Sequence, residues 1–279
     1  MLSILLGLTS AISWGAGDFT GGLASRKTGA HRAVLYGEAI GLALLLLFEL
    51  ISPQPLPNSI SWVYAIIAGA LGTAGILLLY TAMVEGKMSI AAPVSALLAA
   101  ILPVIVGIFS NGFPGYLTFI GFGFALAAVW LVSQSEDGIK DIFSHLADLR
   151  LPLLAGLGFG CYFTFMNLAS RQVIFWPIVA GRSSGFAIIA LFILVRRGEW
   201  SPVRAAWPFL VLNGILDVGG NIFYVLAGQV GRLDVSAVLS SLFPGATVLL
   251  ASIVLKERIS RIQWIGILCA LIAIVLFTV

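Results

Sequence analysis

Leu23-Ala24-Ser25-Arg26 returns 145 residues later as Leu168-Ala169-Ser170-Arg171. The same offset pairs Trp62 with Trp207, Gly69 with Gly214, Gly75 with Gly220 and Ala82 with Ala227. It also pairs Gly86 with Gly231, Ser95 with Ser240 and Ile120-Gly121 with Ile265-Gly266. One unit is therefore written twice. Each copy holds five apolar spans, an odd number, so the second copy enters the bilayer upside down relative to the first. Inverted repeats of this kind belong to secondary transporters, whose halves rock around a central site.

Windows apolar and long enough to cross roughly 30 Å of hydrocarbon, about 20 residues each, recur along the whole chain. They fall near 3–24, 31–51, 61–84, 88–110 and 114–134, then near 151–171, 175–195, 205–229, 233–254 and 260–279. Breakers such as Pro53-Gln54-Pro55-Leu56-Pro57 and Arg196-Arg197-Gly198-Glu199 separate them. The sequence thus predicts an all-α membrane protein, ten transmembrane helices arranged as two inverted five-helix repeats. The first repeat is 1–134, a charged linker lying at the interface is 135–150, and the second repeat is 151–279. Pro93, Pro103 and Pro244 are expected to bend the fourth and ninth spans.

Composition excludes an ordinary soluble domain: 60% of residues are hydrophobic and 10% charged. The first span lacks a basic leader and contains Asp18, so it reads as a mature helix rather than a signal peptide. Cys161 and Cys269 both fall inside spans, which argues against a disulfide framework or a metal site. Gly156-x-Gly158-x-Gly160 is no dinucleotide fingerprint, because no strand precedes it. Small residues at four-residue spacing, Gly17/Gly21, Gly37/Gly41 and Gly156/Gly160, predict close helix packing within the bundle.

Charge sets the orientation. The face holding links 1–2, 3–4, 5–6, 7–8 and 9–10 carries Arg26, Lys27, Arg32, Lys87, Lys140, Arg150, Arg196, Arg197, Arg204, Lys256, Arg258 and Arg261. The opposite face carries only Arg171 and Arg232. The positive-inside rule makes the basic face cytoplasmic and puts both termini outside. The net charge of +3 belongs to these loops and gives no case for nucleic acid.

Together these features resemble the drug/metabolite transporter superfamily, and within it the ten-helix EamA-type transporters. The resemblance covers essentially the whole chain. It is sharpest in Ala91-Ala92-Pro93-Val94-Ser95-Ala96-Leu97-Leu98 and in Leu239-Ser240-Ser241-Leu242-Phe243-Pro244 running to Leu255-Lys256-Glu257-Arg258. Trp14-Gly15-Ala16-Gly17-Asp18-Phe19 is similar to the family's first-helix Trp-Gly motif, and Arg182 sits where members often place an Arg early in helix seven. The resemblance implies a transporter, without choosing among amino acids, nucleobases, sugars, choline-like amines and drugs. Two departures stand out: Glu38 replaces a common Arg, and the termini are predicted outside, whereas many relatives keep theirs inside.

Asp18, Glu38, Arg182 and Asp217 lie well within spans. A charge at the bilayer centre costs about 2.5–3.5 kcal/mol on insertion scales, so each is a functional candidate. Counting about 1.5 Å per residue places Asp18 and Glu38 at similar depth, about 12 Å and 9 Å from basic-face anchors. The same count puts Arg182 and Asp217 level, about 20 Å from that face, and Glu38 not level with Arg182. An Arg182–Asp217 ion pair is expected, either part of transport or a bundle staple. Asp18 and Glu38 are expected to share a site where repulsion and desolvation favour a proton carrier or cation-binding acid; in the alternative Glu38 lines a wet vestibule.

Asn213, Asp217, Asn221 and Tyr224 form one helical stripe, read either as cavity lining or as interhelical hydrogen bonding. The matching first-copy positions, Ala68, Gly72, Ile76 and Leu79, are small or apolar. Trp14, one turn before Asp18, makes a pocket for an organic cation plausible. Trp62, Trp176 and Trp207 fit an interfacial belt.

The expected protein is a secondary active transporter of the cell membrane, working by alternating access around a cavity lined mainly by spans 1, 2, 7 and 8. Its cargo is a small polar metabolite or organic cation, and proton coupling is favoured, since no P-loop is present to hold ATP. The candidate substrate-binding or coupling residues are Trp14, Asp18, Glu38, Arg182, Asp217, Asn221 and Tyr224. No catalytic residue, metal or cofactor is expected. The partners are a small-molecule solute, protons and the lipid bilayer, with the chain a monomer or homodimer. Alternatives are an amino-acid or drug exporter of the same fold, or a lipid-translocating or non-transporting membrane subunit.

Overall fold

The computed structural model describes residues 1–84, 88–133, 150–256 and 258–278. Gly86, Lys87, the linker 135–150 apart from Arg150, and Glu257 lie outside the described residues, as do the side chains of Ala91, Ala92 and Pro93. The apolar windows emerge as helices: α1 (Leu2–Thr28), α2 (Ala30–Ile51), α3 (Ser59–Val84), α4 (Met88–Asn111) and α5 (Tyr116–Val132). The second half supplies α6 (Arg150–Ala169), α7 (Phe175–Val195), α8 (Trp207–Val230), α9 (Leu233–Ser240), α10 (Phe243–Val254) and α11 (Arg261–Thr278). Helices α9 and α10 are halves of one crossing, Leu233–Val254, so the chain crosses the membrane ten times.

Local chemistry explains where these helices stop. Gly29 alone separates α1 from α2, at φ 90°, a backbone conformation that strongly favours glycine. The ninth crossing breaks at Ser241-Leu242 because Pro244, in the first turn of α10, lacks an N–H and its ring blocks the Ser240 carbonyl. The fourth crossing does not break, and α4 runs through Pro103.

The link after α2 is tied to the other half. The Gln54 side-chain oxygen accepts hydrogen bonds from the backbone N–H groups of Ile174 (2.9 Å) and Phe175 (3.0 Å), and the Trp176 indole donates to the Gln54 carbonyl. The two backbone N–H groups are donors that the start of a helix leaves without intrahelical partners. We expect Gln54→Ala to lower stability by about 1 kcal/mol, the usual worth of a helix cap, measured as a shift in thermal melting in detergent.

Contacts between the halves show how they are related. A side chain on Gly121, near the start of α5, would meet Leu276 and Phe277 at the end of α11. One on Gly266, near the start of α11, would meet Leu131 and Val132 at the end of α5. Shifting either contact by the repeat offset produces the other. The contact is thus its own image, and the two helices run antiparallel.

The same exchange links Gly15 against Phe243 and Thr247 with Gly160 against Leu98 and Leu102. It also links Gly75 against Phe159 with Gly220 against Trp14. Only a pseudo-two-fold axis perpendicular to the helices, lying in the membrane plane, generates such pairs. The repeats are therefore inverted.

The four-residue glycine pairs serve these crossings, as expected from their spacing. Gly17 abuts the Asp217 backbone, Gly41 faces the Arg182 guanidinium, and Gly156 meets Ser95 and Leu98. Trp62 and Trp176 pack in a tilted pair, centroids 6.0 Å apart, near one end of the bundle, and Trp207 meets Tyr36 edge-on near the other. Exposed Leu268, Ile272 and Val275 turn a face of α11 to lipid.

Candidate functional site

A cavity lined by residues of both halves lies between them. It straddles the pseudo-two-fold axis, because its lining positions come in offset pairs: Trp14 with Phe159, Asp18 with Phe163, Gly72 with Asp217, and Ile76 with Asn221. Shared backbone geometry brings both members of each pair to the cavity, while the side chains differ. Asp18 of α1, Glu38 of α2, Arg182 of α7 and Asp217 and Asn221 of α8 supply the cavity's charged and amide groups, while α3 and α6 supply a mostly apolar lining.

Arg182 organises the charged groups. Its Nη1 lies 3.1 Å from Glu38 Oε2, and its Nη2 pairs with Asp217 Oδ2. Nη1 also approaches the Gly37 carbonyl at 3.4 Å. Thr73 donates to the other Glu38 oxygen at 2.8 Å. Gly41 leaves the room that the guanidinium fills, and Gly185 leaves room for Thr73 and Glu38. Arg182 is almost fully buried, its Nε has no hydrogen-bond partner among the described residues, and Asp217 retains 24% exposure. A planar guanidinium meets each carboxylate with a different nitrogen, a geometry that one ammonium nitrogen cannot reproduce.

Aromatic rings continue the lining. Trp14 stacks on Phe163 with centroids 5.3 Å apart and meets Tyr162 edge-on at 6.3 Å. The Tyr162 hydroxyl donates to Asn221 Oδ1, and Asn221 Nδ2 donates to the Asp217 carbonyl at 2.6 Å. Asp18, one turn from Trp14, lines the cavity. Three carboxylates and one guanidinium therefore face a space edged by indole and phenol rings.

Of the residues singled out from the sequence, Trp14, Asp18, Glu38, Arg182, Asp217 and Asn221 line this cavity together. Tyr224 does not. It is fully buried and donates to the Phe163 carbonyl at 2.5 Å. Asn213, at the other end of the same stripe, donates to the Gly17 carbonyl and to Tyr80. The stripe spans about 16 Å of helix, and its ends pass from the cavity into helix contacts.

Two further expectations are corrected. Glu38 and Arg182 do reach each other, because counting helical rise locates Cα atoms only, while helix tilt and the long arginine stem cover the remaining gap. The cavity is not lined mainly by spans 1, 2, 7 and 8, since α3 supplies Gly69, Gly72, Thr73 and Ile76, and α6 supplies Phe159, Tyr162, Phe163 and Met166. Applying the repeat offset to Trp14, Asp18, Asp217 and Asn221 would have found four of these positions.

The cavity is off-centre. Ile178 and Met166 bring it within three residues, about 5 Å, of the helix ends opposite the basic face. Toward the basic face it stops at Asp18, Glu38, Ile76 and Phe159, about 12–15 Å short of the helix ends.

The sequence profile of a family described as EamA-like transporter family matches residues 1–134 and 149–279. A solved structure described as "Crystal structure of protein" is similar in fold, at 20% identity and a TM-score of 0.76, over 99% of this chain and 98% of that one. A search of curated proteins finds no match.

Proposed function

The chain belongs to the EamA-like transporter family, and we propose that it is a proton-coupled secondary transporter of a small organic cation. Residues 1–134 and 151–279 are the two halves that rock against each other in this reading. The observation that carries it is the excess of acid in an aromatic-edged cavity. Arg182 bridges Glu38 and Asp217, so Asp18 adds acid beyond the bridge, one turn from the Trp14 indole. A cation placed there gains both the carboxylate and the ring faces. A proton on Asp18 competes with that cation, which is the elementary condition for exchanging one for the other.

With the basic face cytoplasmic, the cavity leans outward, and the packed segment beyond Asp18 separates it from the cytoplasm. Two packings related by exchange of the halves would give each leaflet its turn of access.

The test uses purified protein in liposomes, with ethidium and tetraethylammonium as probes and an imposed proton gradient as the driving force. Gradient-driven movement of a probe, lacking in empty liposomes, is expected. Asp18→Asn and Glu38→Gln should each reduce flux by about tenfold, the worth of one charge-assisted contact, and flatten its pH dependence. Parental rates and pH profiles in both variants would sink the reading. Movement of zwitterionic amino acids with no movement of either amine would replace the cation by an amino acid.

A further inference from the structure

Four side-chain hydrogen bonds join α1 to α8, one helix from each half. Ser3 donates to the Ala227 carbonyl at 2.9 Å, Ser10 to the Gly220 carbonyl at 2.8 Å and Ser13 to the Leu216 carbonyl at 2.6 Å. Asn213 returns one to the Gly17 carbonyl at 3.0 Å. The partners advance in opposite directions, so the bonds keep register along two antiparallel helices for about 21 Å. Ser10 and Asn213 are buried, and none of the four donors lines the cavity.

The repeat offset carries this crossing onto that of α3 with α6, but not its chemistry. Ser10, Ser13 and Asn213 become Ala155, Gly158 and Ala68, none of which has a side-chain donor. Backbones touch there instead. A Cβ on Gly158 would lie 2.6 Å from the Leu71 carbonyl oxygen, and one on Gly75 would lie 3.0 Å from that of Ala155. The hydroxyls that these two helices do carry turn elsewhere. Those of Thr73 and Thr81 go to Glu38 and the Leu77 carbonyl, and those of Tyr162 and Thr164 to Asn221 and the Gly160 carbonyl. One crossing is thus bonded and its image only packed.

The packed crossing is also where the cavity ends. Ile76 of α3 and Phe159 of α6 close it toward the basic face. Beyond them Leu79, Ala82 and Ala155 are buried in one apolar cluster, with Leu151 packed against it. Among the described residues, parting α3 from α6 along this layer breaks no side-chain hydrogen bond between them. Parting α1 from α8 breaks four, each worth about threefold in an equilibrium on the scale measured between membrane helices.

We infer that α1 and α8 stay joined through the transport cycle as its pivot, and that the basic-face side opens where α3 parts from α6, at Gly75, Leu79, Ala155 and Gly158. The inference rests on reading the chain as an alternating-access transporter. It adds that the two crossings related by the pseudo-two-fold axis share the motion unequally. Solute leaving toward the basic face then passes between α3 and α6, beyond Ile76 and Phe159.

The experiment compares thermal melting with proton-driven ethidium flux in liposomes for two variants of the full chain. Ser10→Ala with Ser13→Ala should lower the melting temperature yet leave flux per folded molecule at the parental rate, because bonds kept throughout a cycle do not enter its barrier. Flux changed in either direction overturns the pivot. Ala155→Ser puts a hydroxyl at the image of Ser10, facing the Gly75 carbonyl. It should raise the melting temperature and cut flux about threefold, a combination that mere damage to the fold does not give. Parental flux in Ala155→Ser overturns the opening at α3–α6.

Spin labels decide the matter where Ala155→Ser fails to fold or melts lower. In a chain with Cys161→Ala and Cys269→Ala, one pair of labels goes on exposed Val84 and Leu154, across α3–α6, and another on exposed Leu5 and Val230, across α1–α8. Ethidium under the proton gradient should lengthen the first distance and leave the second unchanged. Flux with no lengthening of the first, or with equal change in both, overturns the inference and leaves the transport reading standing. A parental protein that moves neither ethidium nor tetraethylammonium sinks the cation-transport reading, and this inference with it.

Discussion

Replacing Arg182 by alanine abolishes transport and destabilises the protein by about 3–5 kcal/mol, the cost of leaving a buried charge without its partner. Two carboxylates lose their counter-ion at once, since Glu38 and Asp217 both bond to the same guanidinium. Glu38 is held by Thr73, and Gly41 and Gly185 have shaped the backbone around the cluster. Thermal or denaturant unfolding in detergent measures the loss. Two companion variants identify its cause. Arg182→Lys should recover part of the stability, because one ammonium retains the charge but cannot bridge both carboxylates. Adding Glu38→Gln and Asp217→Asn to Arg182→Ala should recover most of it, because neither former partner of the guanidinium is then left charged. A melting transition of Arg182→Ala indistinguishable from the parent would mean that the triad carries no structural weight.

Gly69→Ala should cost about 1–3 kcal/mol, the usual penalty for overpacking, and impair transport with it. The position is where α3 and α7 touch backbone to backbone. An added methyl would collide with the Gly181 carbonyl oxygen and its neighbouring backbone atoms, none of which can rotate away. Close by, Ser184 of α7 donates to the Ile66 carbonyl of α3 at 3.0 Å, a bond that parting helices would stretch. Gly69 and Gly181 also line the cavity, so the displacement changes its wall directly. Gly123→Ala is the matched control, since a methyl at Gly123 meets nothing within 4 Å and the same substitution there should leave melting and flux unchanged. Equal effects at both positions would assign the loss to helix propensity or lipid contact instead of to the α3–α7 crossing.

The number of spans, their inversion and the family were legible before any coordinate, for a physical reason. Hydrocarbon solvent forces each crossing to be a long apolar helix, and duplication leaves a fixed offset that survives wherever packing needs a glycine. Four isolated charges in such helices were equally visible, because burying them without a purpose is costly. Lateral position was not legible. The offset that reveals the duplication also pairs Asp18 with Phe163 and Asp217 with Gly72, but sequence alone could not show that both members of each pair meet across one axis.

The sequence by itself determined a ten-crossing, inverted-repeat membrane protein of this family and singled out Asp18, Glu38, Arg182 and Asp217 as charges set within the spans. The tertiary structure decided that Arg182 serves two acids rather than one, and that Tyr224 packs while Tyr162 lines the cavity. These depend on helix tilt, crossing points and side-chain reach across different helices. Such quantities arise only when two halves close on each other, and no single helix's periodicity encodes them.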